Sequence, residues 1–306
     1  MENINRKIWL KNNIVDLKDA NINVLAPTSQ FGANVFEGIR CYYNEEHQQL
    51  YAFRLEDHYK RLLNSIKLFQ MECNYDSKYF KKAFIDVIKA NNFKEDIAVR
   101  QTVFIDGFGS WSSKGPVNMF VSPISKPRND TDNLPLQSCK ISSWTRISDS
   151  NMSPRAKVGA NYINSRLGQL EAIETGYNTC IFMNDAGKIS EGPGSCFFMV
   201  KNNKLITPPL TASVLESITR DTIITIARNI LNIDVIERTI DRTELYICDE
   251  AFLCGSAMEI GPINKIDSYK IGEGFAGKIT KQIHRNYIQI LEGNSSCYQR
   301  WLTPIY

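Results

Sequence analysis

The sequence predicts a fold of mixed helices and strands, α/β or α+β, arranged in two domains. A chain of 306 residues can fill two medium domains, each with a sizeable core. Strand patterns and helix patterns occur together in both halves of the chain. Between the halves, Ser125–Pro135 combines prolines with several Asn and Asp residues, which leaves nothing to bury. We therefore predict a smaller N-terminal domain over 1–127, a linker over 128–137 and a larger C-terminal domain over 138–306.

The elements of the N-terminal half follow from hydrophobic periodicity. Leu55–Phe69 has apolar residues at 55, 59, 62, 63, 66 and 69, which is the spacing of an amphipathic helix. Lys78–Asn91 fits a second helix. The strands predicted in this half are Val35–Arg40, Gln49–Phe53, Ile97–Ile105 and Val117–Ser122.

The C-terminal half shows the same mixture of patterns. The strands predicted there are Lys140–Trp144, Thr179–Asn184, Cys196–Lys201, Val235–Thr239 and Glu250–Gly255. The helices predicted there are Ile163–Thr175, Ile218–Leu231 and Phe275–Leu291. Asp185–Gly187 has the composition of a turn after the second of these strands. Two domains of this kind commonly meet at a cleft that binds a ligand.

The composition argues against several classes of function. The net charge is +3 and the basic residues are scattered, so no nucleic-acid or membrane patch is predicted. The eight cysteines contain no C-x-x-C spacing and do not cluster with the three histidines, so no metal site is predicted. The N-terminus lacks the apolar segment of a signal peptide, and no stretch of about 18 apolar residues is present. We expect a cytoplasmic protein with buried free thiols.

Two segments carry candidate catalytic side chains. Pro154–Tyr162 places Lys157 among small and apolar residues, where desolvation favours a neutral, nucleophilic amine. Taken alone, such a lysine is more often an ordinary surface residue. In Ile189–Ser195, two glycines and a proline fix an unusual backbone around the carboxylate of Glu191. That carboxylate could pair with a cofactor cation or could be an exposed loop residue, and the segment alone leaves both open.

Two further segments could approach a ligand through their backbones. Ser217 is a plausible N-cap for the helix behind it, and the first N–H groups of that helix would suit a phosphate. Most capped helices bind no anion, so the segment alone favours a plain cap. Leu253–Ile260 is a strand that ends in small residues, which would allow a ligand to come close. The alternative for this segment is an ordinary tight turn.

Taken in order, these segments resemble the fold-type IV enzymes that use pyridoxal 5′-phosphate (PLP), the class IV aminotransferases, and most closely the bacterial branched-chain aminotransferases. The similarity covers nearly the whole chain. The matching blocks are Val35–Arg40 (V-F-E-G-I-R), Leu55–Leu62 (the family's R-x-x-H-x-x-R-L without its first arginine), Ala156–Tyr162 (A-K-x-G-x-N-Y), Ile189–Gly194 (I-S-E-G-x-G), Ile218–Asp221 (I-T-R-D), Gly255–Ile260 (G-S-A-x-E-I) and Gly272–Gly277 (G-E-G-x-x-G).

The resemblance implies a role for each block around a PLP molecule in the cleft between the two domains. Lys157 would carry the cofactor as a Schiff base and move the substrate proton. Tyr162 would hydrogen-bond the phenolic oxygen of the cofactor. Glu191 would keep the pyridine nitrogen protonated, and the protonated ring is the electron sink of the reaction. The phosphate would be held by Arg61, by the backbone N–H groups of Ile218 and Thr219, and by Ser256.

The resemblance also implies the substrate side of the site. The substrate α-carboxylate would meet the backbone amides of Ser256 and Ala257. Arg100 matches an arginine that helps bind substrate carboxylates, and Phe36 matches an apolar residue of the side-chain pocket. In this family a dimer completes the site, with the loop near Phe31 close to the partner's pocket, so a homodimer or higher homo-oligomer is expected.

Three positions depart from the family pattern. Ala98 replaces the tyrosine of Y-x-R, Phe31 replaces the tyrosine before Gly32, and Cys196 replaces the asparagine of E-G-x-G-x-N. The first two lie on the substrate side in the family, so they bear on specificity and leave the cofactor machinery intact.

The reaction predicted from the resemblance is transamination between L-leucine, L-isoleucine or L-valine and 2-oxoglutarate. The alternatives are a class IV aminotransferase with another donor or acceptor, a D-amino-acid aminotransferase, an aminodeoxychorismate lyase, and a PLP-holding protein without turnover. Degenerate relatives usually lose the lysine or the ring-nitrogen carboxylate, and this chain retains both Lys157 and Glu191.

Overall fold

The computed structural model describes residues 5–306, apart from the side chain of Ser296. The chain divides into two compact units. The first contains the chain up to Arg128, together with Ala156–Ala160 and Leu291–Tyr306. The second contains Asn129–Arg155 and Asn161–Ile290.

The first unit is built on an antiparallel sheet that carries two long helices. Its elements as far as residue 125 are β1 (Lys7–Leu10), β2 (Asn13–Asp16), α1 (Pro27–Phe31), β3 (Asn34–Asn44), β4 (Gln49–Phe53), α2 (Leu55–Leu68), α3 (Ser77–Asn91), β5 (Ile97–Ile105) and β6 (Val117–Ser125). The second unit and the C-terminal segment supply β7 (Gln137–Thr145), α4 (Tyr162–Glu174), β8 (Thr179–Met183), β9 (Cys196–Lys201), β10 (Lys204–Thr207), α5 (Ile218–Asn229), β11 (Val235–Glu237), β12 (Glu250–Gly255), β13 (Glu259–Ile266), β14 (Tyr269–Lys270), α6 (Lys278–Leu291) and β15 (Leu302–Pro304).

The seven-stranded sheet of the first unit has the order β15-β4-β3-β5-β6-β1-β2. Strands β3 and β5 are paired along their length, from Asn34 opposite Phe104 to Cys41 opposite Ile97. Alternate residues of these strands, including Val35 and Ile39, pack against the apolar sides of α2 and α3 and form the core. The other face of the strands therefore carries the even-numbered residues of β3 and β5.

The second unit has a mixed sheet of eight strands, in the order β11-β10-β9-β12-β13-β7-β8 with β14 beside β13. The pairs β10–β11, β13–β7 and β7–β8 are parallel, and β9–β10, β9–β12 and β12–β13 are antiparallel. Its core includes the fully buried side chains of Ile181, Phe197 and Leu253. The prediction of a mixed α/β or α+β fold is confirmed.

Several predicted boundaries were wrong for identifiable reasons. Strand β3 continues beyond Arg40 to Asn44 because its last residues pair with β4. Helix α6 begins at Lys278 and not at Phe275, since the carboxylate of Glu250 accepts the N–H groups of Ile279 (3.0 Å) and Thr280 (2.8 Å) and so fixes the first turn.

The predicted linker buries more than its composition suggested. Leu134 is 8% exposed, and the guanidinium Nε of Arg128 donates to Oδ2 of Asp96 at 2.6 Å. The domain boundaries drawn from the sequence remain a prediction. The compact units differ from those boundaries because 156–160 and 291–306 have their contacts in the first unit.

Candidate active site

The backbone of Lys157 is fixed in the first unit against β3. Its carbonyl accepts the N–H of Phe36 at 3.0 Å, and its own N–H donates to Oγ of Ser65 at 3.0 Å. The N–H of Gly159 donates to the carbonyl of Asn34 at 3.0 Å. A Cβ at position 159 would lie 2.4 Å from Oδ1 of Asn34, so a side chain there would force the Asn34 side chain to move. These hydrogen bonds fix the position of the backbone from which the Lys157 side chain extends.

The amine of Lys157 and the guanidinium of Arg100 both lie over the aromatic ring of Phe36. Its Nζ lies 4.9 Å from the centroid of the Phe36 ring, and the guanidinium carbon of Arg100 lies 3.9 Å from the same centroid. In the register of β3 and β5, Ala98 is opposite Arg40 and Arg100 is opposite Gly38. The structure thus brings Phe36, Ala98 and Arg100 to one face of the sheet, with the Lys157 amine beside Phe36.

Arg61 is held on the helix-bearing face of the same sheet. Its Nε and Nη2 donate to the two carboxylate oxygens of Glu37, each at 2.7 Å. Nδ1 of His58 lies 2.6 Å from Oε2 of the same carboxylate. Glu37 is fully buried, and His58 and Arg61 are 2% and 9% exposed. The pair geometry fixes the plane of the Arg61 guanidinium.

The protonation of this cluster follows from burial and charge. Burial alone would raise the pKa of Glu37, but the charge of Arg61 outweighs burial and holds the pKa well below its usual range. Burial lowers the pKa of His58, and this outweighs the opposite effect of the Glu37 carboxylate. Glu37 is therefore ionised, and His58 is a neutral ring that donates its Nδ1–H to the carboxylate.

The sequence motifs contained Glu37 and His58 without indicating their roles. A signal was present in α2, where His58 and Arg61 fall among the apolar positions 55, 59, 62 and 66 of the buried side. Two basic residues on a buried helix face require a carboxylate partner.

Glu191 is held in the second unit by an arginine that the sequence did not identify. Nε and Nη2 of Arg146 lie 2.9 and 2.8 Å from Oε1 of Glu191. The second oxygen, Oε2, accepts the N–H of Leu215 at 3.2 Å and lies 3.8 Å from Sγ of Cys196. Glu191 and Arg146 are 3% and 8% exposed. The Glu191 carboxylate is therefore a buried, oriented group and not an exposed loop residue.

The predicted cap of α5 is present. Oγ of Ser217 accepts the N–H of Arg220 at 3.2 Å, and Ile218 and Thr219 are the first two residues of the helix. The N–H groups of a first helical turn point out of the helix, and the helix dipole adds positive potential there. The geometry of this helix end suits an anion.

The loop of Glu191 and the turn after β12 are neighbours in the second unit. Cys196, which follows the loop, lies opposite Cys254 in the register of strands β9 and β12. A Cβ on Gly255 would lie 3.0 Å from the carbonyl oxygen of Gly194, so a side chain at 255 would crowd the loop. Ser256 is half-buried and Ala257 is exposed in this turn. Tyr162 is half-buried at the start of α4.

The cysteines and histidines of the chain form neither disulfides nor a metal cluster among residues 5–306. All eight cysteines are free thiols, of which six are buried, whereas Cys73 is half-buried and Cys297 is exposed. Burial was therefore wrongly expected for Cys297. Within residues 5–306, no group of three or more His, Cys, Asp and Glu side chains could hold a metal ion. In the same part of the chain, no helix is long and apolar enough to cross a membrane.

Comparison with known proteins identifies the relatives of this chain. The family model described as amino-transferase class IV matches residues 34–266. A probable branched-chain-amino-acid aminotransferase of Aquifex aeolicus (strain VF5) is 34% identical over 302 residues, which cover 97% of this chain and 96% of that protein.

Solved structures give the same result at the level of the fold. The branched-chain aminotransferase of Thermoproteus uzoniensis with norvaline has a TM-score of 0.92 and 38% identity, and the match covers 98% of this chain and 99% of that one. The PLP form of the enzyme from Thermobaculum terrenum also has a TM-score of 0.92 and 38% identity, with 98% of each chain covered. The family predicted from the sequence blocks is confirmed.

Proposed function

Because this chain belongs to the class IV aminotransferase family, we propose that it uses PLP to transfer the amino group of L-leucine, L-isoleucine or L-valine to 2-oxoglutarate. The observation that carries the proposal is the buried carboxylate of Glu191, which Arg146 orients through two contacts to Oε1. A buried carboxylate of this kind suits a protonated pyridine nitrogen. The branched-chain names of the relatives supply the substrate class.

The residues present fit PLP in charge and in hydrogen-bonding capacity. A phosphate dianion matches the first turn of α5 at Ile218 and Thr219, together with Ser256 and Arg61. The phenolic oxygen would be met by Tyr162. When bound, the cofactor supplies an electron sink that makes the Cα proton of an amino acid removable.

Lys157 is proposed as the residue that binds the cofactor covalently and moves the substrate proton. Its backbone is fixed by Phe36 and Ser65, so its Nζ reaches a limited volume above the Phe36 ring. With the cofactor bound, this Nζ would carry the proton from Cα of the amino acid to C4′ of the cofactor, and would carry it in the opposite direction in the second half of the reaction. The phenyl ring excludes water from one side of this amine.

The substrate side is proposed on β3, β5 and the turn after β12. Phe36 would contact the substrate side chain, and the amides of Ser256 and Ala257 would bind the α-carboxylate. Arg100 is exposed beside Phe36 and would attract a second carboxylate, such as that of 2-oxoglutarate. The alanine at position 98 leaves more room on this face than the tyrosine of the family would.

We also propose a homodimer and a cytoplasmic location. Phe31 is 45% exposed at the end of α1, and Val24 and Leu25 in the preceding segment are 77% and 51% exposed. Such a group of exposed apolar side chains is typical of a surface that another subunit covers. The six buried free thiols are compatible with a reducing compartment.

A panel of amino donors tests the reaction. The purified protein with PLP would be given 2-oxoglutarate and either L-leucine, L-isoleucine, L-valine, a D-amino acid or aminodeoxychorismate, and glutamate, pyruvate and 4-aminobenzoate would be measured. We expect L-glutamate from the three branched L-amino acids. Turnover with only a D-amino acid, or 4-aminobenzoate from aminodeoxychorismate, would replace the proposal with one of the alternatives.

A further inference from the structure

The turn after β12 contains a residue whose backbone is unusual for its type. Gly255 and Glu259 are paired across β12 and β13, so Ser256–Met258 form a three-residue loop. Glu259 has φ of 59°, in the left-handed region where glycine is the residue of lowest cost. A glutamate at this position is strained, and strain that persists is balanced by other contacts.

The side chain of Glu259 supplies such a contact. It is 1% exposed, and its Oε2 accepts the N–H of Asn129 at 2.8 Å. A buried carboxylate is costly to desolvate, so the turn geometry alone does not explain a glutamate at this position. A glutamate at position 259 is therefore best explained by its hydrogen bond with Asn129.

The side chain of Asn129 completes the arrangement. Its Nδ2 donates to the carbonyl of Met258 at 2.8 Å and lies 3.5 Å from the carbonyl of Ile260. Asn129 therefore holds the backbone on both sides of Glu259 and is itself held by the Glu259 carboxylate. We call these two residues the turn clamp.

The turn clamp lies where the chain enters the second unit. Asn129 is the first residue of that unit, and the preceding residue, Arg128, is anchored in its own unit by Asp96. Because the loop Ser256–Met258 has only three residues, a shift of the backbone at Glu259 also changes the positions of Ser256 and Ala257.

We propose that Asn129 and Glu259 are positioning residues, which fix the amides of Ser256 and Ala257 in the orientation that binds the α-carboxylate of the amino-acid substrate. The inference rests on the proposed function, because that function gives the two amides their role. Loss of the clamp leaves Lys157, Glu191 and the first turn of α5 in place, so substrate binding suffers more than the chemical step.

Asn129→Ala tests the clamp, with Asn286→Ala as the matched control. Asn286 also donates its Nδ2 to a backbone carbonyl, that of Gln282 at 2.8 Å, but within α6. Steady-state kinetics with L-leucine should give a KM about tenfold higher for Asn129→Ala, equivalent to about 1.4 kcal/mol, with kcat within about twofold. The control should retain both constants.

Glu259→Gly separates the clamp from simple turn geometry. Glycine relieves the backbone strain, so a residue that served only the turn would be replaced without a change in KM. The clamp predicts a raised KM for this variant as well. Unchanged KM in both variants, or a fall in kcat and thermal stability with KM unchanged, would overturn the inference.

Hydrogen exchange gives a readout that needs no turnover. In the holoenzyme, Asn129→Ala should speed amide exchange in a peptide covering residues 253–260, and Asn286→Ala should leave it unchanged. If the wild type transaminates none of the donors, the proposed function fails, while the exchange result still tests the clamp. Unchanged exchange in Asn129→Ala would contradict the clamp whatever the enzyme's activity.

Discussion

Arg146 and Glu191 form a buried ion pair in which Nε and Nη2 of the arginine both approach Oε1, at 2.9 and 2.8 Å. The other oxygen of Glu191 is left to the Leu215 amide and the Cys196 thiol. A carboxylate held by a guanidinium on one oxygen and by two weaker donors on the other has a fixed orientation. This orientation would suit a contact with the ring nitrogen of the proposed cofactor.

Arg146→Met should leave Glu191 as a buried charge without its principal partner. Breaking a buried pair from one side typically costs about 3–5 kcal/mol of stability. The double variant Arg146→Met/Glu191→Gln should lose less than the sum of the single variants, since it removes the uncompensated charge. A double-mutant cycle of unfolding free energies measures this coupling. Strictly additive losses would show that the two side chains do not interact.

Glu37→Gln should weaken cofactor retention as well as stability. The change leaves the Arg61 guanidinium without the carboxylate that orients it, and we expect the dissociation constant for PLP to rise about tenfold. The matched control is Glu244→Gln, because Glu244 forms a similar two-point contact with Arg238 at 2.9 and 2.6 Å on a half-exposed surface. The control should cost less than about 1 kcal/mol. Equal effects in a PLP titration and thermal unfolding would count against a special role for Glu37.

Ser217→Asp should separate helix capping from anion binding at α5. Aspartate is as good an N-cap as serine, so the stability of the cofactor-free protein should be retained. Its negative charge would repel a phosphate at the same helix end, and PLP should bind at least about tenfold more weakly. Ser217→Thr keeps the cap without the charge and should bind PLP normally. Tight binding of PLP to Ser217→Asp would place the phosphate elsewhere.

His284 should make stability fall in mild acid. Burial lowers the pKa of its ring to about 4, although the negative charge of Asp130 acts in the opposite direction. Both ring nitrogens lack a hydrogen-bond partner among the described residues. The unfolded chain takes up this proton near pH 6.5, so the unfolded state binds more protons than the folded state between about pH 6.5 and 4.

The free energy of unfolding should therefore be fully present above about pH 6.5 and fall by up to about 3 kcal/mol as the pH approaches 4. His58, whose pKa burial also lowers, adds to the same trend. Thermal unfolding against pH should show a shallower acid loss for His284→Phe. The control is His47→Gln, since His47 is exposed and its replacement should leave the slope unchanged. An identical slope in wild type and His284→Phe would contradict the assignment.

The sequence predicted the parts of the fold that local patterns determine. Helix α2 and strands β4, β5, β9 and β12 have periodic sequences, and their observed bounds agree with the prediction or differ by one residue. Strands β1, β2 and β15 were missed because each has only three or four residues. Strand β15 is defined by its pairing with β4, some 250 residues earlier in the chain, and no local pattern reports such a contact.

The same distinction holds for the site. Lys157 and Glu191 could be predicted as site residues because they lie in recognisable blocks of sequence. Arg146 lies 45 residues from its partner, and an arginine after a strand is most often a surface residue. The left-handed backbone of Glu259 was equally hidden, because turns of this kind are usually marked by glycine. The roles of Arg146 and Glu259 depend on contacts with residues distant in the sequence, which local patterns do not report.

Borohydride reduction of the PLP-loaded protein, followed by peptide mass mapping, tests the central claim most directly. Reduction fixes the cofactor to the amine that holds it. We predict that the added mass is found on Lys157 alone, and that prior addition of L-leucine without an acceptor prevents the labelling. Labelling of a different lysine, or none on Lys157 in a protein that transaminates, would contradict the account.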